Sequence, residues 1–183
     1  MDEQHEVARL HGQHLSDPAY AVHRAPGKRV EPFAPEFTPK ALGEMAAGRT
    51  APLKSFLLDQ SRIAGVGNIY ADEALFRAEL HPLSPAGSMR AEHLKALRDA
   101  VVAALGAGID AGGSSIDDYR DARGEKGTMQ NEFLVHTREG EDCPRCGTTI
   151  EAVHFKDYVM CYCPEEQTGG RVLKDRRLSK LLK

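Results

Sequence analysis

The chain has 183 residues, a formal net charge of −3, 41% hydrophobic residues and no tryptophan, enough for one domain or two small ones around an aliphatic core. No stretch approaches the roughly 20 apolar residues of a membrane span. The polar start MDEQHEV also lacks the basic-then-apolar order of a signal peptide, so a membrane role is excluded and a cytoplasmic one expected. A slightly acidic total does not suggest a nucleic-acid binder, but phosphates respond to local patches rather than to the sum.

Along the chain, five of the ten prolines (Pro18, Pro26, Pro32, Pro35 and Pro39) fall in the first 40 residues without a sustained apolar period. Residues 1–30 therefore read as an irregular leader. FTPKALGEM offers Thr38 as an N-cap, Pro39 at the first helical position, and Leu42 and Met45 on one face. PLKSFLLDQ predicts a second helix with Leu53, Phe56 and Leu57 together. After the glycines of AGVGN, the spacing of Ile69, Ala74, Leu75 and Phe76 predicts a third helix from Asn68 to Leu80, closed by His81-Pro82. MRAEHLKALRDAVVAALGAG is the clearest helix, with Leu94, Leu97, Val101 and Leu105 on one stripe and Gly106 and Gly108 at its end.

The following stretch, from Gly108 to Phe133, is glycine-rich and charged and reads as a long loop, a length that in compact domains is usually functional or disordered. From Glu132 onward, the β-like runs FLVH, TTIEAVHF and YVMCYC alternate with turns. The last stretch, RVLKDRRLSKLLK, has six basic residues against one acidic, with a rough helical stripe of leucines. The expected fold is mainly α with a small β hairpin. Its segments are the leader 1–30, a helical module 31–125, a metal-clipped hairpin 126–170 and a basic tail 171–183.

All four cysteines, Cys143, Cys146, Cys161 and Cys163, lie within 21 consecutive residues. In a reducing cytosol such clustering points to metal rather than to disulfides. Cys143-Pro-Arg-Cys146-Gly forms a good first knuckle for one structural zinc, and the sixteen residues between Cys146 and Cys163 suit a single hairpin. A second knuckle of the same shape would place its last ligand at 166, where Glu166 stands. Glu166 is the preferred fourth ligand. Cys161 is the other candidate, although neighbours at i, i+2 on a strand point to opposite faces. Buried thiols without metal are the alternative, and His154 reads as a surface or packing residue.

Gly65 and Gly67 let the chain pass tightly between two helices and leave backbone N–H groups at the second helix start, beside Asn68. That is an anion site suited to a phosphodiester, or else an ordinary helical turn whose glycines serve only the bend.

The long match LLDQSRIAGVGNIYADEALFRAELHP resembles the helix-two-turn-helix signature of the bacterial formamidopyrimidine-DNA glycosylase and endonuclease VIII family. The resemblance continues through GGSSIDDYRDARGEKGTMQNEF and LVHTREGEDCPRCGTTI, so that it runs from about Glu31 to the C-terminus. It implies a base-excision-repair enzyme that removes oxidised bases and cleaves at the abasic site, with double-stranded DNA as partner. Asn68 matches the asparagine that holds a phosphate near the lesion, with Gly67 and Tyr70 as its neighbours. Ser114, Ser115 and Arg120 match the loop over the pocket that receives the flipped base. The structural zinc is implied as well, and Tyr158 stands where the family has a phosphate-binding arginine, which predicts a weaker grip.

Family members begin with a proline nucleophile followed by a glutamate, whereas this sequence begins Met1-Asp2-Glu3 and leaves no room upstream of Glu31 for the family's N-terminal β-sandwich. The expectation is a DNA-binding portion with no catalytic residue. Its rivals are an abasic-site lyase using another amine (Lys54, Lys126 or the N-terminus) and a subunit that completes a separate catalytic chain. The subunit reading predicts an exposed apolar patch along Phe33, Phe37 and the first helix.

Overall fold

The structure, a computed structural model, describes residues 29–113, 127–155 and 158–173. Nearly all of the expected leader, half of the long loop (114–126) and most of the basic tail (174–183) lie outside the described residues. The fold is mainly helical with one two-stranded antiparallel hairpin.

Helix α1 (Pro39–Ala46) starts where the Thr38 hydroxyl accepts the Ala41 N–H at 3.1 Å, and Pro39 occupies a first-turn position that needs no N–H. Leu42 and Ala46 are buried. Helix α2 (Leu53–Leu57) buries Leu53, Phe56 and Leu57 as the spacing predicts, but also Lys54. The chain then turns back: Val30 pairs with Ile63 as a parallel bridge, its N–H donating to Arg62 and its carbonyl accepting from Ala64.

Helix α3 (Asn68–Arg77) ends three residues before the predicted Leu80. Glu79 adopts a left-handed φ of 56°, the Leu80 N–H donates to the Leu75 carbonyl at 3.0 Å, and the Glu79 N–H donates to Phe76 at 3.1 Å. This is a Schellman cap built on a residue other than glycine, which is why no glycine marks it in the sequence. Helix α4 (Ala91–Asp110) runs past Gly106 and Gly108, which were expected at its end. Its cap is Gly112, at φ 68°, with the Gly113 N–H donating to Gly108 at 2.8 Å. Gly108 instead admits a neighbour, since a Cβ there would lie 2.2 Å from the Tyr70 hydroxyl. The Tyr70 ring therefore rests on the α4 backbone and locks α3 against it.

These four helices enclose one aliphatic core, with Phe37, Leu42, Leu53, Leu57, Leu75 and Leu97 at its centre. In the hairpin, strand β1 (Glu151–His154) pairs with β2 (Val159–Tyr162) in the register Glu151 to Tyr162 and His154 to Val159. A short helix α5 (Pro164–Thr168), which the sequence reading did not anticipate, follows Cys163. The FLVH run is not a strand; its backbone is occupied in another way, described below. Phe76, fully buried at the end of α3, packs among Val135, Cys143, Ile150, Cys161 and Cys163, so the helical module and the hairpin share apolar contacts.

Candidate nucleic-acid interface and metal centre

The turn between α2 and α3 is shaped by Gln60. Its amide donates to the Val66 carbonyl at 2.8 Å while its oxygen accepts the Gly65 N–H at 3.0 Å, clamping the loop from both sides. Gly65, at φ 74°, takes a conformation that other residues rarely adopt. Gly67 caps α3 in an extended conformation with no side-chain hydrogen bond to the first turn. The first N–H groups of the helix and the positive end of its dipole thus face a site without a capping oxygen. Beside them, the Asn68 side-chain oxygen is buried with no hydrogen-bond partner. Tyr70 is half-buried, and burial holds its phenol above the usual range.

Behind this turn lies a polar hub that the sequence reading missed. The Lys54 ammonium, 1% exposed, contacts the Asp72 carboxylate at 2.5 Å and donates to the Val159 carbonyl at 2.8 Å. The second Asp72 oxygen meets His136 Nδ1 at 2.9 Å and accepts the Cys161 N–H at 3.2 Å. Glu73, fully buried, accepts the consecutive N–H groups of Leu134, Val135 and His136 at 3.0–3.1 Å. Adjacent acids of α3 therefore grip the hairpin strand β2 and the FLVH segment. The one signal in the sequence was a pair of carboxylates inside a helical stretch, 71–76, that is buried on every side. Desolvation by burial lowers the Lys54 pKa against the opposing pull of Asp72.

Tyr158 stacks on Phe155 with centroids 4.7 Å apart, and Lys54 Nζ lies 5.1 Å from its ring centre. Ser114, Ser115 and Arg120 lie outside the described residues, as does Lys126. The apolar patch expected along Phe33 and Phe37 is not formed: Phe37 is fully buried, and among the described residues only Phe33 and Val172 are large exposed hydrophobics.

At the finger, the thiols of Cys143, Cys146 and Cys163 all lie within 4.8 Å of one another, with Cys146 and Cys163 at 3.5 Å. Tetrahedral zinc with bonds of about 2.3 Å sets its sulfurs about 3.8 Å apart, so this donor set fits zinc, whereas a disulfide requires about 2 Å. Gly147, at φ 74°, and the bond from the Cys143 N–H to Thr148 at 2.9 Å fold the first knuckle around them. Burial pushes the Cys163 thiol up to about 12, while hydrogen bonds from Thr148 hold the exposed Cys146 low. Cys161 does not join this cluster. It faces Asp72 and His136, where burial raises it to about 11 and where the Lys54 ammonium already supplies a cation. Glu166 also stands apart from the three thiols, its carboxylate 3.5 Å from Arg145.

A helix-two-turn-helix joined to a hairpin that carries a cluster of three thiols is the architecture of the C-terminal part of one family of DNA glycosylases. The chain belongs to the formamidopyrimidine-DNA glycosylase H2TH domain family, matched over residues 29–120. It is 47% identical over 137 residues to the formamidopyrimidine-DNA glycosylase of Roseiflexus sp., covering 75% of this chain and 50% of that one. A similar relative from Chloroflexus aurantiacus is 46% identical over 134 residues, 73% and 48% of the two chains. The chain thus spans about half the length of the curated relatives it matches. Among solved structures it resembles the MutM (Fpg) protein of Thermus thermophilus, with TM-score 0.74 and 36% identity over 83% of this chain and 58% of that one. It also resembles Lactococcus lactis Fpg in complex with DNA containing an abasic site, with TM-score 0.72 and 33% identity over 84% and 55%.

Proposed function

We propose that this chain is the DNA-binding portion of a base-excision-repair glycosylase and abasic-site lyase, holding damaged or abasic duplex through its backbone phosphates. The observation that carries this reading is the start of α3, where the helix N-terminus has no side-chain cap on its first N–H groups and Asn68 stands beside them. One phosphodiester would use the backbone N–H groups. The Asn68 amide would complete the grip, Gly67 would allow close approach, and Tyr70 would hold the turn in place from behind. Ser114, Ser115 and Arg120 are assigned to the lesion side by family resemblance, and Tyr158 to the position from which the family's arginine contacts phosphates around the lesion, with a weaker grip. Support for DNA as partner comes from the relatives solved with abasic-site DNA. As a bacterial repair protein it would act in the cytoplasm, on the nucleoid.

One structural zinc, held by Cys143, Cys146 and Cys163, belongs to the same reading. When bound it would neutralise the thiolates and close the finger; its affinity falls with acidity because the thiols must lose protons.

No catalytic residue is assigned in this chain. Of the amines considered, Lys54 is unsuited to attack a sugar, being buried and committed to Asp72. Mixing the chain with an abasic-site duplex, adding borohydride and resolving both covalent and gel-shifted species tests this. The expected result is a shifted complex without adduct. A borohydride-trapped adduct would show that an amine of this chain forms the Schiff base.

A further inference from the structure

We infer that the finger is a three-thiolate centre whose fourth coordination position is left to an exogenous donor, and that Glu166 serves as counter-ion to Arg145 rather than as ligand. The inference rests on the zinc reading above and concerns how that site is completed.

Position 166 is divided between two tasks. Its backbone N–H donates to the Cys163 sulfur, as a helix start does beside a thiolate, so the residue is close to the cluster. Its carboxylate, however, is outside the group of thiols and 3.5 Å from the Arg145 guanidinium. Arg145 is itself fixed between the two knuckle cysteines. It donates to the Phe76 carbonyl at 3.2 Å and the Arg77 carbonyl at 3.4 Å, meets Glu79 at 3.3 Å, and lies 4.4 Å from the centre of the Phe76 ring. These contacts place a cation at the C-terminal end of α3, where the helix dipole favours one. Glu166 is thereby drawn to a charge that cannot follow it to the metal.

Among the described residues, Cys161 and His154 are also committed. Cys161 lies in the cluster with Asp72 and His136, and His154 pairs with Glu139 at 2.9 Å. Cys143 and Cys163 are buried but Cys146 is exposed, so small molecules reach the centre on the Cys146 side. Three protein ligands plus one open position is the arrangement that lets zinc exchange a ligand, in contrast to closed four-ligand structural sites. With zinc bound, water would fill that position and a free thiolate or imidazole could replace it.

Cobalt(II) titration of the full chain tests the assignment, because its d–d and sulfur charge-transfer bands report the donor set directly. The expected result is one equivalent bound with a three-sulfur spectrum that shifts on adding 2-mercaptoethanol. Glu166→Ala and Glu166→Gln should leave that spectrum unchanged, and Glu166→Cys should give a four-sulfur spectrum that no longer responds to added thiol. If Glu166→Ala or Glu166→Gln altered the cobalt bands, or if the unmodified chain ignored the thiol, Glu166 or another group of the chain would be the ligand and this inference would fall alone. If no equivalent of cobalt or zinc bound, the zinc reading itself would fall, and the open position with it.

Discussion

Asp72→Ala is expected to destabilise the chain by about 3–5 kcal/mol, the range for removing one partner of a buried ion pair, against total stabilities of about 5–15 kcal/mol for ordinary domains. The substitution leaves the buried Lys54 ammonium with the Val159 carbonyl as its hydrogen-bond acceptor and the Tyr158 ring nearby, and deprives His136 and the Cys161 N–H of their acceptor. Denaturant unfolding measures the loss. Its pH dependence identifies the cause. Burial already holds Lys54 below the ordinary lysine value of 10.5, and without Asp72 it falls further. Between the folded and unfolded lysine values the unfolded chain binds more protons, so the stability of the variant rises with pH. Part of the loss should therefore return as pH is raised toward 10.5, a recovery the unmodified chain shows less. Adding Lys54→Met to Asp72→Ala should also restore stability, because it removes the orphaned charge. A double variant as unstable as the sum of the two singles would mean that the pair is not coupled.

Glu73→Ala should cost about 3 kcal/mol or more, since an unsatisfied buried N–H costs about 1–3 kcal/mol and three consecutive ones lose their acceptor. Glu73→Gln keeps one carbonyl oxygen and should cost about half as much. The loss is local in a readable way: amides of Leu134, Val135 and His136 should exchange with solvent far faster in Glu73→Ala, while the α4 interior, in a separate core, stays protected. Uniform acceleration across both regions would show that the hub does not join two separable parts.

The hub also explains what the sequence revealed and what it withheld. Helices whose signals are local were legible: Thr38-Pro39 starts α1, and the Leu97, Val101 and Leu105 stripe faces the core. The end of α3 was not, because the cap residue is Glu79, whose side chain gives no sign of a left-handed backbone. FLVH alternates as a strand would, yet its N–H groups are taken by a carboxylate some sixty residues away, and no local period records that. Lys54 read as a surface charge for the same reason, its partner lying 18 residues ahead on another helix. At the cysteine cluster, the grouping of Cys143, Cys146 and Cys163 was legible from spacing alone. The surroundings of Glu166 and Cys161 were not legible, because Arg145 and Asp72 are neighbours that only the folded chain assembles. The turn between α2 and α3 was legible as glycines beside Asn68; the packing of Tyr70 behind it required Gly108, 38 positions later and inside a helix.

The measurement that bears most directly on DNA binding through the α3 start is the affinity of the chain for an abasic-site duplex across a salt series, by fluorescence anisotropy, alongside Asn68→Ala. Binding through backbone phosphates predicts an affinity that falls steeply as salt rises, from counterion release. Losing the Asn68 contact should weaken binding about tenfold, equivalent to about 1.4 kcal/mol, with the helical circular dichroism unchanged. Affinity indifferent to salt, or an Asn68→Ala chain that binds as tightly as the original, would contradict the account.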